Sequence, residues 1–259
     1  SFNVLLFSGS NRMLSDTPVP ATRANVERAI ATIDSLRAGG STEIVPALER
    51  IAALPKNPEV ARTVIVVTDG YVSVEERVFA LVRKNLGNSN VFAFGIGSSV
   101  NRHLIEGIAR AGQGEPFVVT KPELAHAQAD RLRKMIDAPV LTSVRARFDG
   151  LDVYDVEPAR LDAVPDVLGG RPVALFGKWR GEARGQLVLD GRAASGDWQQ
   201  VVPVATPDPD AQALRLLWAR RRIQQLSDEE ALVGGNAKRD AITTLGLQHS
   251  LLTQYTSFI

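Results

Sequence analysis

Three short stretches of this 259-residue chain carry side chains that could do chemistry. The first is Thr68-Asp69-Gly70, which closes the most apolar run of the sequence, Thr63 to Val67. In an open α/β sheet, ligands gather beyond the carboxyl ends of the strands, where loops present side chains and backbone amides. A carboxylate there is a hard oxygen ligand suited to Mg²⁺ or a similar ion. Taken alone, an Asp before Gly more often shapes a turn or caps the next helix. The second stretch is Ala38-Gly39-Gly40-Ser41-Thr42-Glu43-Ile44. Its glycines turn the chain, and Thr42 stands at a helix start, where its hydroxyl can cap the helix or meet a metal. Capping is again the commoner role for such a residue by itself. The third is Phe94-Gly95-Ile96-Gly97, a strand end followed by Ser98-Ser99. It lacks the GxGxxG spacing of a dinucleotide site, and no GxxxxGK[ST] run exists, which removes the P-loop.

The elements around these stretches alternate. Phe2 to Phe7 reads as a short buried strand, and Thr22 to Leu36 as a helix with Val26, Ile30, Ile33 and Leu36 on one face. Gly39-Gly40 ends that helix, and Ile44 to Leu54 forms another, closed by Pro55. Thr63 to Val67 is β-branched almost throughout, which predicts a strand covered on both faces. A helix over 74–86, a strand at 91–96, a helix with Leu104, Ile105 and Ile108, a strand at 116–119 and a helix over 124–136 follow. Repeated βα units imply a mostly parallel sheet flanked by helices. Near Asp137 the period becomes two: Val140, Val144, Ala146 and Phe148 alternate with Arg145, Arg147 and Asp149, as in a half-exposed antiparallel strand. Further strands are expected at 173–180, 185–189 and 198–204, then helices at 211–226 and 237–247. The domain reading is 1–137 as an α/β domain, 138–206 as a β-rich, sandwich-like module, and 207–259 as a helical segment.

Composition narrows the function classes. The formal net charge is +1, from 30 basic and 29 acidic residues, so nothing global attracts nucleic acid or anionic lipid. No apolar run reaches the ~20 residues needed to cross a bilayer, and no signal-type segment opens the sequence. Cysteine is absent, which excludes disulfides, thiolate metal sites and a cysteine nucleophile. His103, His126 and His249 are scattered and show no zinc-site spacing. Arg220-Arg221-Arg222 beside Trp218 reads as the solvated side of a helix, and Asp228-Glu229-Glu230 as an acidic helix start or loop.

Taken in order, PVPAT, NVERAI, LRAGGSTEI, VIVVTDG, VFAFGIGSSVNRHLIEGIARAGQGEPFVV, LWARRRIQQL and ITTLGLQHSLLTQYTSFI resemble the heavy chains of inter-alpha-trypsin inhibitor and their bacterial relatives. Those proteins join a VIT domain to a von Willebrand factor A domain. The resemblance covers nearly the whole chain and is weakest from about 150 to 205. It implies a von Willebrand factor A-type sheet in which Phe2–Phe7 matches the second strand. Leu6-Phe-Ser-Gly-Ser-Asn11 therefore only looks like the family's Asp-x-Ser-x-Ser metal motif, which would lie before Ser1. The chain is accordingly expected to be a piece of a longer protein, without its VIT domain and first A-domain strand. The sheet would then have two open edges, beside Phe2–Phe7 and beside Thr63–Val67.

The resemblance further implies a metal-ion-dependent adhesion site. Carried over position by position, its ligands here are Thr42 and Asp69, with Ser41, Tyr71, Ser98 and Ser99 as possible rim residues. The cofactor would be Mg²⁺, or Mn²⁺ or Ca²⁺, in the intact parent. Two ligands and water hold Mg²⁺ poorly, because it gives up hydration reluctantly, so this chain is expected to bind it weakly or not at all. The partner implied is a protein or extracellular-matrix ligand offering a carboxylate, and the location extracellular, periplasmic or on a cell surface such as a bacterial one. The reading is a binding and adhesion protein, not an enzyme. The alternatives are a metal-independent intracellular scaffold and a metal-dependent hydrolase, which would need a general base and more ligands.

Overall fold

The computed structural model describes residues 1–35, 43–55, 62–69, 75–86, 89–137, 140–158, 161–162, 164–205, 211–233 and 235–257. Ser41, Thr42 and Tyr71 lie outside these residues. The backbone divides into two compact units, Ser1–Pro122 and Glu123–Ile259.

The first unit opens with an antiparallel hairpin, β1 (Leu5–Ser8) and β2 (Ser10–Met13). Next comes α1 (Arg23–Asp34), where the Thr22 side chain caps the helix by accepting from the Asn25 N–H. The remaining elements are α2 (Ile44–Ala53), β3 (Thr63–Thr68), α3 (Glu75–Leu86), β4 (Asn90–Ile96), α4 (Arg102–Ala111) and β5 (Gln113–Val119). Strands β3, β4 and β5 form a parallel sheet in that order. Val91, Phe92 and Ala93 of the central strand are fully buried, as befits a strand with neighbours on both edges. The helix α4 buries Leu104, Ile105 and Ile108, an i, i+1, i+4 stripe. It lies so close to β4 that a Cβ on Gly95 would collide with Val100 and Ile105. Phe94 of β4 stacks on Phe117 of β5 at 4.5 Å between ring centroids.

Three expectations for this unit need correction. The β3 strand is not covered on both faces: Val64, Val66 and Thr68 are buried, whereas Ile65 and Val67 are 46% and 47% exposed. The buried set shares the face of Val91 and Ala93 on which α4 packs, and among the described residues β3 has a strand partner along one edge only. A β-branched run reports strand propensity, not the presence of a second covering layer. Second, Val26, Ile30 and Ile33 do form one stripe of α1, but all three remain exposed. Third, Phe2 is not part of β1; it makes an isolated bridge to Val19, and β1 is half-buried and pairs with β2. Among the described residues β1 and β3 belong to separate sheets.

The second unit begins with α5 (Ala125–Ile136) and continues with β6 (Thr142–Asp149), β7 (Asp152–Glu157), β8 (Phe176–Arg180), β9 (Gln186–Ala193) and β10 (Gly196–Pro203). Two antiparallel sheets result, one of order β10-β9-β6 and one pairing β7 with β8. Val144, Ala146 and Val164 form its β-rich core, joined by Leu141, Leu161, Val167, Val173, Leu175, Leu187 and Leu189. The alternation read at 140–148 is thus realised, and Asp149-Gly150 makes the turn between β6 and β7 with Gly150 at φ +75°. Two helices close the unit, α6 (Gln212–Val233) and α7 (Arg239–Gln248). The α6 helix runs a further two turns beyond the expected end, through the acidic Asp228-Glu229-Glu230 run, which therefore is neither a helix start nor a loop.

Candidate functional site: the carboxyl edge of the parallel sheet

Parallel βα units place the carboxyl ends of their strands, and the amino ends of the following helices, at one edge of the sheet. Thr68 pairs with Gly95, and Gly95 with Val118, so β3, β4 and β5 end together. Asp69 is the next residue after β3, and its side chain is exposed. One strand over, Gly97 adopts φ +113° and donates its N–H to the Val119 carbonyl at 2.9 Å. That left-handed conformation is open to glycine at little cost, and it turns Ser98 and Ser99 out at the same edge, both exposed. The structure therefore brings Asp69, Ser98 and Ser99 to one rim.

Two residues not singled out from the sequence belong to this rim. Asn101 caps α4, its Oδ1 accepting from the Leu104 N–H at 3.1 Å, and its Nδ2 donates to Glu75 Oε1 at 2.9 Å. This pair ties the start of α3 to the start of α4. The Asn before an apolar helical stripe was a readable cap signal; its link to Glu75, 26 residues earlier, was not.

The rim offers oxygen donors of the hard kind that Mg²⁺, Mn²⁺ and Ca²⁺ take. Among the described residues no group of three or more Asp, Glu or His side chains converges as a metal cage. Of the rim's carboxylates, Asp69 directly follows β3 and is exposed, whereas Glu75 already accepts from Asn101 Nδ2.

The second unit holds a different kind of chemistry. Trp218 of α6 is buried and donates its indole N–H to the Asp155 carbonyl at 2.8 Å. The β7–β8 register slips between Tyr154 and Glu157, with Asp155 at φ +49°. Lys178 Nζ sits 3.6 Å from the Trp218 ring centroid and 3.5 Å from Asp155 Oδ2. His249 packs edge-on to Trp218, 6.1 Å between ring centroids. Arg222 donates to the buried Glu157 carboxylate at 3.0 Å, so one of the three consecutive arginines is a structural ion pair rather than solvated surface. Burial raises the Glu157 carboxyl above its ordinary value, and the Arg222 hydrogen bond and charge oppose that shift. His103 packs edge-on to Phe79.

The profile of the von Willebrand factor type A domain matches residues 1–116. Human von Willebrand factor A domain-containing protein 5A is 27% identical over 271 residues, covering 100% of this chain and 34% of its own length. A von Willebrand factor A domain-containing protein of Dictyostelium discoideum is 27% identical over 268 residues, covering 99% of this chain and 13% of its own. Human inter-alpha-trypsin inhibitor heavy chain H2 is 24% identical over 296 residues, covering 100% and 30%. The chain thus spans 13% to 34% of the length of these relatives. Among solved structures, von Willebrand factor type A from Catenulispora acidiphila aligns with a TM-score of 0.60 at 16% identity, covering 96% of this chain and 70% of that one. At that identity the likeness establishes the fold.

Proposed function

We propose, from the match of residues 1–116 to the von Willebrand factor type A domain, that this chain serves in binding or adhesion through the carboxyl edge of its parallel sheet. The chemistry proposed is a divalent cation, Mg²⁺ or alternatively Mn²⁺ or Ca²⁺, held by Asp69 and Thr42 with further oxygen donors. One coordination position is left for a carboxylate of a protein or matrix ligand. A cation so placed makes a directional charge–charge bond, and the rim at Ser98, Ser99 and Asn101 shapes what approaches. The proposed place of action is the cell exterior, surface or periplasm. The observation that carries this reading is the exposed Asp69 carboxylate at the end of β3, level with the Ser98-Ser99 turn.

Calorimetric titration with Mn²⁺ and Mg²⁺, of this chain and of any longer polypeptide that contains it, tests it. We expect one site, weakened at least tenfold by Asp69→Ala and by Thr42→Ala while circular dichroism stays unchanged. Cation affinity indifferent to both substitutions would remove the reading. In the 259-residue chain the same titration is expected to give only millimolar affinity, because Thr42 and Asp69 alone replace few of the ion's waters.

A further inference from the structure

The last described segment folds back onto its own helices. After α7 the Leu251 N–H donates to the Gly246 carbonyl at 2.8 Å. The chain then closes a small loop: Thr256 Oγ1 donates to the Leu251 carbonyl at 2.9 Å, and the Tyr255 N–H to Thr253 Oγ1 at 3.0 Å. This loop lies directly on α7, where a Cβ on Gly246 would come within 2.9 Å of Thr253 and Thr256. Its far side reaches the carboxyl-terminal part of α6. There Glu230, only 5% exposed, accepts from Gln254 Nε2 at 2.6 Å, from the Tyr255 hydroxyl at 2.6 Å and from the Lys238 N–H at 3.0 Å. Arg239 lies over the Tyr255 ring, 5.4 Å from its centroid.

Little apolar surface supports this seat. Leu252 within the loop is 61% exposed and Leu247 near the end of α7 69%, and neither Thr253 nor Tyr255 is fully buried. The attachment is largely polar: the bonds to Glu230, the Leu251–Gly246 backbone bond, the Arg239 contact and a 3.3 Å hydrogen bond from the Tyr255 hydroxyl to Asn236 Oδ1. Hydrogen bonds exchanged against water contribute modestly each, and segments with few buried apolar contacts open locally before the core does.

We propose that Leu251–Thr256 is a releasable strap, latched to the α6–α7 pair by Glu230 through Gln254 and Tyr255, which opens while the rest of its unit stays folded. Opening uncovers the Glu230 carboxylate and the Gly246 side of α7.

Hydrogen exchange read by mass spectrometry on the whole 259-residue chain tests this, comparing wild type with Glu230→Gln, Tyr255→Phe and Gly246→Ala. In wild type, the peptide covering 247–257 is expected to exchange faster than peptides from β6 and β9. Glu230→Gln and Gly246→Ala should accelerate it at least tenfold, and Tyr255→Phe several-fold, with β6, β9 and the Trp218–Leu226 part of α6 unchanged. The proposal is overturned if the 247–257 peptide keeps pace with β9 in every variant, or if Glu230→Gln leaves its rate within twofold of wild type. Because Tyr255→Phe removes a single hydroxyl, its result stands even if the Gly246 variant fails to fold.

Discussion

Among the described residues, eleven of the twelve largest fully buried side chains lie in the first unit, from Ile44 to Phe117; the second contributes Ile242. The second unit instead buries Glu157 and Glu230 and joins its elements through Arg222, Trp218, Lys178 and the strap. Apolar packing is non-directional and cooperative; a few charged and aromatic clasps are directional and can open one at a time. The contrast fits a division of labour in which the packed sheet would hold the proposed docking rim rigid and the clasped unit would contain the proposed strap.

The contrast can be broken most severely at the aromatic layer of the first unit. Phe117→Ala removes a ring that stacks on Phe94 and touches Phe92, and is expected to cost about 3–5 kcal/mol in urea unfolding, the range for buried aromatic truncation. Arg222→Met comes next. It leaves the buried Glu157 charge uncompensated and should destabilise the second unit by about 3 kcal/mol at neutral pH, with Glu157→Gln in the double variant restoring most of that loss. The pH dependence has a definite sign. A carboxyl whose folded pKa lies above its unfolded one contributes its stability below the unfolded value, and loses it as pH rises through the folded value. Arg222→Met should therefore be less damaging near pH 4 than at pH 7. If both substitutions prove equally mild, the two units do not differ in the way described.

Smaller changes sharpen the contrast. Trp218→Phe keeps the ring but loses the bond to the Asp155 carbonyl, and is expected to cost about 1 kcal/mol. The Tyr255 hydroxyl, hydrogen-bonded to Glu230, is raised above its ordinary value; the strap contact is thus present below about pH 10 and is lost as pH rises through the folded value. Ultraviolet titration should show the Tyr255 phenol transition moving down in Glu230→Gln and vanishing in Tyr255→Phe. At the bottom of the scale, Ile65→Thr on the uncovered face of β3 should change stability by no more than about 0.5 kcal/mol. A loss of several kcal/mol there would mean that this face is covered in solution.

The parts legible in the sequence are those written in local period. The run Val91–Ile96, the stripe Leu104-Ile105-Ile108 and the alternation at Val144-Ala146-Phe148 fold as expected, as does the strand that delivers Asp69. What was missed depends on partners distant in sequence. Glu230 stands in an acidic run that reads as a helix start or loop, and its burial follows from Gln254 and Tyr255, 24 and 25 residues later. The β-branched character of Thr63–Val67 fixes a strand but says nothing of what covers Ile65 and Val67. Arg222 looked like one of three surface arginines until β7 placed Glu157 against it, 65 residues away.

The docking-rim assignment is tested most directly by adding Mn²⁺ to the isotopically labelled 259-residue chain and following paramagnetic broadening of its backbone amides, which reports even millimolar binding. Broadening centred on Thr68, Asp69 and Gly97–Asn101, with Arg62, Asn90 and Gly112–Gly114 at the opposite edge unaffected, and abolished by Asp69→Ala, is the predicted result. Broadening focused anywhere else, or unchanged in Asp69→Ala, would contradict the assignment.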